Sequence, residues 1–242
     1  MNFSPFSALL LFPAMVIFME LGRRLRIRRK VEGQNSAIEG AVFALFGLLL
    51  AFTFSGAMNR YDAHRILIVQ ETNNIDTAYL RLDLLPSASQ PKLRRLFRDY
   101  TNSRLYLYGT VAPEIAPESA RLQQEIWSSA VAASQTAGAS PDAAKLLLPA
   151  INDMINITSA RKNAFNMHPP WIVYLLLFVL SCCCAFMAGY GMASRNWLYI
   201  LAFAFVVMFT VYATLQIEYP RRGLTRFIHG DRKLISLRDS MR

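Results

Sequence analysis

Four stretches of this chain carry no charged side chain: residues 3–19, 40–59, 163–194 and 196–217. At about 1.5 Å per residue, a run of about 20 apolar residues crosses a hydrocarbon layer of roughly 30 Å as one helix. Every backbone N–H and C=O inside lipid must be satisfied internally, so a spanning segment is a helix or part of a closed barrel. No stretch of useful length alternates at period two, so the four runs read as helices. The first run is slightly short and contains Pro13, and it reads as a membrane helix kinked there. Nothing basic precedes it and "RRLRIRRK" (residues 23–30) follows it, the charge order of an anchor rather than of a cleaved signal peptide.

Between the second and third runs lies a polar insertion. Residues 60–169 carry 12 basic and 10 acidic side chains, close to neutral. From Tyr61, the positions His64, Ile68, Thr72, Ile75, Tyr79 and Leu82 recur at steps of three and four, one narrow seam at helical period. One helix is expected to leave the membrane and continue to about Leu85, stopped by Pro86. A second helix is expected over residues 92–111, with Leu96, Phe97, Tyr100, Arg104 and Leu107 on adjoining faces, ended by Pro113 and Pro117. A third covers residues 118–137 and carries Ile126, Trp127 and Val131. After the loop "QTAGASPD", a fourth spans residues 142–165, bent at Pro149. The expected fold is an all-α integral membrane protein: four transmembrane helices with a helical insertion between the second and third. Its parts are a first transmembrane pair (1–58), a helical extramembrane domain (59–169), a second transmembrane pair (170–217) and a basic tail (218–242).

The chemistry expected of an enzyme is missing. There is no phosphate-cradling glycine loop, no G-x-S-x-G and no H-E-x-x-H. His64, His168 and His229 are far apart in sequence and read as structural. Asp62, Glu71 and Asp76 share one extended helix and read as solvated or paired carboxylates. Cys182, Cys183 and Cys184 are adjacent and point about 100° apart on a helix, so their thiols do not converge on a metal. No cofactor, no metal and no enzymatic role are expected. The net charge of +10 comes largely from basic runs that flank membrane helices. Anionic lipid headgroups are therefore the expected partner, and nucleic acid is not.

The second run, continued as "GLLLAFTFSGAMNRYDAHR" (residues 47–65), carries two features beyond a plain anchor. Gly47, Ala51 and Ser55 are spaced by four, with Gly40 and Ala44 at the same interval nearby. Small residues let helices approach closely. The alternative is a helix facing a narrow conduit, where Leu48 and Phe52 form an apolar constriction that gates by dewetting. Arg60 stands where the helix leaves the membrane. It is either an interfacial anchor reaching headgroups or, if copies surround an axis, a ring of positive charge that favours anions.

The stretch resembles the second membrane helix of bestrophins, the bacterial ones in particular: G-L-x-L-x-F, about seven residues, then arginine and an aromatic, here Arg60 and Tyr61. "QIEYPRRG" (residues 216–223) resembles the bestrophin I-E-x-P-F-G stretch, with Ile217, Glu218, Pro220 and Gly223 in register apart from one extra residue before the glycine. The order of two helices, a helical insertion, two helices and a tail agrees. The chain thus looks like a member of the prokaryotic bestrophin-like membrane protein family. The resemblance implies a pentameric anion channel whose pore is lined by the second helix. Phe52 and Leu48 match two residues of the apolar neck, and the third position falls on the smaller Ala44. The second of the family's paired aromatics is replaced by Asp62. The acidic calcium clasp of the animal members has no counterpart, since the tail beyond Glu218 offers Asp231 and Asp239 only. A hard cation takes six to eight oxygens, so calcium gating is not expected.

Four crossings place both termini and the insertion on one side of the membrane. Basic residues divide almost evenly between the sides. The basic loop after the first helix would put the insertion outside, whereas the resemblance and the basic tail put it in the cytosol, the placement expected, with the chain in the cell inner (plasma) membrane. Two functions from different classes are therefore compared: a bestrophin-like homo-oligomeric anion channel, and a non-conducting membrane scaffold or sensor whose helical domain binds a partner.

Overall fold

A computed structural model describes residues 5–29, 36–109, 117–219 and 228–241, without the side chains of residues 5, 36, 106–109 and 228–231. The helices are α1 (Leu11–Arg29), α2 (Ser36–Leu80), α3 (Gln90–Gly109), α4 (Pro117–Ser134), α5 (Ala143–Asn166), α6 (Trp171–Gly191), α7 (Trp197–Glu218) and α8 (Ile228–Ser240). Short 3-10 stretches, Pro5–Leu10 and Arg81–Leu84, precede α1 and follow α2. No strand occurs among the described residues. Among the described residues, four helices are long and apolar enough to cross a membrane, as the uncharged runs require. The chain divides into two compact units, Met1–Tyr61 with His168–Arg226, and Asp62–Met167 with Phe227–Arg242.

In the first unit α1 lies along α6 at backbone contact. A methyl group built on Gly22 would sit 2.1 Å from the Phe186 carbonyl oxygen, and one on Gly189 would sit 1.9 Å from that of Met19. No side chain fits at either position. Ser181, Ala185 and Gly189, spaced by four on α6, are all buried, and Ala185 packs in one cluster with Met15 and Met19 of α1. Pro13 does not kink a long helix. It stands in the first turn of α1, after the 3-10 stretch, where its missing N–H costs no hydrogen bond. The helix then runs ten residues past Met19 because its basic end has partners within the chain. Arg23 and Arg24 bond Glu20, and Arg26 donates to the terminal carbonyls of α6, at Tyr190 and Gly191. A cation at a helix C-terminus is favourable because unsatisfied carbonyls collect there. Asn196 caps α7, its side chain accepting from the Tyr199 N–H. Cys182 and Cys184 are buried and Cys183 is exposed, diverging as adjacent helical residues must.

The second unit has its own core. The seam read from the sequence is its α2 contribution: Ile68, Thr72, Ile75, Tyr79 and Leu82 are all buried. Ile75 and Tyr79, with Leu82 of the 3-10 stretch, share one core with Phe97 and Tyr100 of α3, Ile126 of α4, and Leu147 and Ile151 of α5. Pro149 lies inside α5. Leu234, Leu237 and Met241 join this core from α8 and its end, where the sequence is expected to form a basic tail. Glu71 is fully buried and holds two arginines from other helices. Arg104 Nε donates to Oε1 at 2.6 Å, and Arg161 donates to Oε2.

Candidate functional site

The apolar half of α2 buries one side and leaves the other open. Thr53 turns its hydroxyl onto the carbonyls of Leu49 and Leu50, so a polar side chain costs nothing in lipid. Phe46 and Ala57 are buried, and Phe43 packs edge-on against Phe203 of α7. On the other side, Ala44, Leu48 and Phe52 are exposed, together with Gly40, Gly47, Ala51 and Ser55. Phe52 reaches 67% exposure. A methyl group built on Gly40 or Gly47 would meet nothing within 4 Å. Among the described residues, therefore, no helix packs closely on the small-residue face of α2 at Gly40 or Gly47; the close glycine approach lies between α1 and α6 instead. Only 11% of the apolar stretch of α2 is buried, against 28–33% for the other three.

At the end of this stretch Arg60 meets Glu218, 158 residues away in sequence. Arg60 Nε donates to both carboxylate oxygens at 2.9 Å, and Nη2 donates to Oε2 at 2.7 Å. Such charge-assisted contacts are the stronger kind of hydrogen bond. The guanidinium folds back over Gly56, where an added methyl would lie 3.3 Å from Nη1. His168 Nδ1 lies 3.2 Å from Glu218 Oε1, and the His168 ring lies 4.6 Å from that of Tyr219. The Glu218 side chain is 2% exposed. A carboxylate this buried is stable only when paired and hydrogen-bonded. The charge read as a candidate pore mouth is thus answered by a carboxylate of the same chain.

Ile217 and Glu218 close α7; Pro220 and Gly223 of the same motif lie outside the described residues, as does the side chain of His229. Arg60 and Glu218 were singled out by separate motifs, and nothing in either motif names the other. The signal that joins them is topological. The second and fourth spans end at residues 59 and 217, and chains that cross up and down bring those two ends to the same border. His168 stands at that border too, just before α6, and was read only as structural. His64 packs by its ring against Phe165, 5.9 Å away. Among the described residues no group of three His, Cys, Asp or Glu side chains is placed to hold a metal ion.

The sequence model of the Bestrophin-like domain matches residues 7–226. No curated protein matches the chain in sequence. Among solved structures, a bacterial bestrophin homologue from Klebsiella pneumoniae carrying a tryptophan-to-alanine mutation superposes with a TM-score of 0.74 at 11% identity, covering 99% of this chain and all of that one. An aspartate-to-alanine mutant of a bestrophin homologue from the same organism gives 0.63 at 14% identity, over 96% and 98% of the two chains. A structure described only as a membrane protein mutant gives 0.64 at 14% identity over 96% and 97%. The identities are low enough that these structures speak to the fold alone. With four apolar spans, the paired Arg60 and Glu218 at their common border and a family match over nearly the whole length, the chain is a multi-pass membrane protein and belongs to the bestrophin-like family.

Proposed function

We propose that the chain is one subunit of a homo-oligomeric anion channel, with the exposed face of α2 lining the conduit. The observation that carries this reading is that face itself. Ala44, Leu48 and Phe52 stand one above another at intervals of four, exposed on the least buried span of the chain. A row of apolar side chains repeated around an axis makes a constriction that empties of water when narrow, which is one way to gate a pore. The bestrophin resemblance implies five copies and an anion as the permeant species, and the family match supports carrying both to this chain. Ala44 makes the ring at its level wider than those of Leu48 and Phe52. Arg60 is a positioning residue on this reading: its guanidinium ties the end of the α2 span to the end of α7 through Glu218. The helical domain lies in the cytosol and the spans in the cell inner membrane.

The test is ion flux from liposomes carrying the full-length protein, with chloride and with sodium, for wild type and Phe52→Ala. Phe52 is exposed within the chain, so its truncation leaves each subunit's core intact and acts on the constriction alone. Chloride flux above empty liposomes, raised further by Phe52→Ala, is the expected result. No wild-type flux, with Phe52→Ala indistinguishable from it, sinks the channel and leaves the scaffold or sensor reading.

A further inference from the structure

The spanning unit contains a cavity of about 560 Å³, inside the roughly 300–1,000 Å³ range of small-molecule sites. Ala8, Leu11, Leu50, Leu177, Phe178 and Val211 contribute to its wall, from the first 3-10 stretch and from α1, α2, α6 and α7. Thr53 and Thr214 also line it, but each hydroxyl is bonded to a carbonyl of its own helix. The charged groups of the lining are Arg60 and Glu218, at one end. That end is the membrane border, where the apolar run of α2 stops, α7 closes and α6 begins. From Arg60 the cavity reaches down α2 to Leu50, a drop of about 15 Å at the rise of an α-helix, or half of a hydrocarbon core of roughly 30 Å.

We infer that this cavity is a lipid site: it holds one acyl chain of the adjoining leaflet, with the oxygen-rich anionic head at the Arg60 guanidinium. The wall decides the class of occupant. Apolar cavities do not hold ordered water, and a void forfeits dispersion contact along its whole lining. The medium around this unit is hydrocarbon, and the depth matches a single leaflet. At the polar end Glu218 takes the Nε and one Nη2 N–H of Arg60, and the remaining guanidinium N–H groups can donate to phosphate or carboxylate oxygens. The site stands whether or not the chain conducts.

Photolabelling of the full-length protein in phosphatidylcholine vesicles tests it. One arm contains a phosphatidylglycerol with a diazirine at the end of its acyl chain, the other a free fatty acid with the same group, which separates the two sources of one chemistry. Expected in at least one arm is several-fold more labelling of Leu50, Leu177 and Val211 than of Leu198 and Val206, which are exposed on α7. Val211→Trp, which fills the cavity, should reduce the first set several-fold and leave the second unchanged. Should that variant not fold, excess unlabelled lipid on wild type gives the same answer: labelling of a site saturates and is competed away, while labelling of the lipid-facing surface falls only with dilution. Equal labelling of both sets in both arms, or cavity labelling that does not saturate, overturns the proposal.

Discussion

Single side chains here show how far charge can be read from sequence. Arg60 is visible as a cation at the end of an apolar run, but its ligand is set by packing. Glu218 accepts from it and also bonds His168, so removing one member leaves the other in a poor environment. Breaking a buried pair costs about 3–5 kcal/mol, and the partly exposed Arg60 places this pair at the low end. Glu218→Gln and Arg60→Gln should each lower the melting temperature in detergent. The exchange Arg60→Glu with Glu218→Arg should recover part of the loss, where Arg60→Glu alone sets two carboxylates together and is the worst of the four. Glu71 makes the same point in the helical unit. In sequence it reads as a solvated or paired carboxylate with no partner named; the structure pairs it, with Arg104 and Arg161 reaching it from helices 33 and 90 residues away. Burial pushes its carboxyl up, but the charges and hydrogen bonds of the two arginines overcome this and hold it below the ordinary value of 4.5. The folded unit therefore binds fewer protons than the unfolded chain in that range. The stability Glu71 confers is complete above about pH 4.5 and is lost as pH falls through the folded value. Glu71→Gln should flatten the acid limb of a stability-against-pH curve; an unchanged limb would mean that Glu71 does not set it.

At the scale of helices, what is legible depends on what enforces it. The spans follow from hydrocarbon thickness, and the α2 seam follows from a period sustained over five turns; both are local facts of the sequence. The close approach of α1 and α6 is legible in principle, since Ser181, Ala185 and Gly189 are small residues at steps of four. Such a stripe names no partner, however, and the longer stripe on α2 drew the reading there instead. The helix α8 was missed for another reason. Its apolar positions Leu234, Leu237 and Met241 step by three and four, but the helix has only 13 residues and its many charges dominate the segment. Short helices are marginal alone and owe their stability to the face they bury. Leu234 is fully buried in the helical unit, so Leu234→Ala should cost about 2–5 kcal/mol. Limited proteolysis of the full-length protein checks this, with faster cleavage in the helical domain expected and unchanged α1 and α6 fragments.

At the scale of the molecule, the exposed face of α2 has no partner among the described residues of the chain, and the proposed assembly rests on it. Gly47 lies on that face, about 100° round the helix from Leu48, and nothing lies within 4 Å of a side chain begun there. Two outcomes of Gly47→Leu therefore separate cleanly. An interior helical glycine costs about 1 kcal/mol relative to alanine, and leucine is nearly as good a helix former. If lipid alone covers the face, the variant keeps its mass in detergent and melts at the same temperature or slightly higher. If copies pack along α2 around a conduit, the added side chain falls in a close-packed interface or in the conduit itself, and no rearrangement inside one subunit relieves it. The expected result is a smaller particle by light scattering, or one of unchanged mass with reduced chloride flux, while helicity by circular dichroism stays at the wild-type level. Val206→Leu, on the exposed side of α7, serves as the control and should leave both mass and flux as they are. A Gly47→Leu protein with wild-type mass and wild-type flux would show that neither the interface nor the conduit runs along this face, and the pore would have to be sought elsewhere or given up.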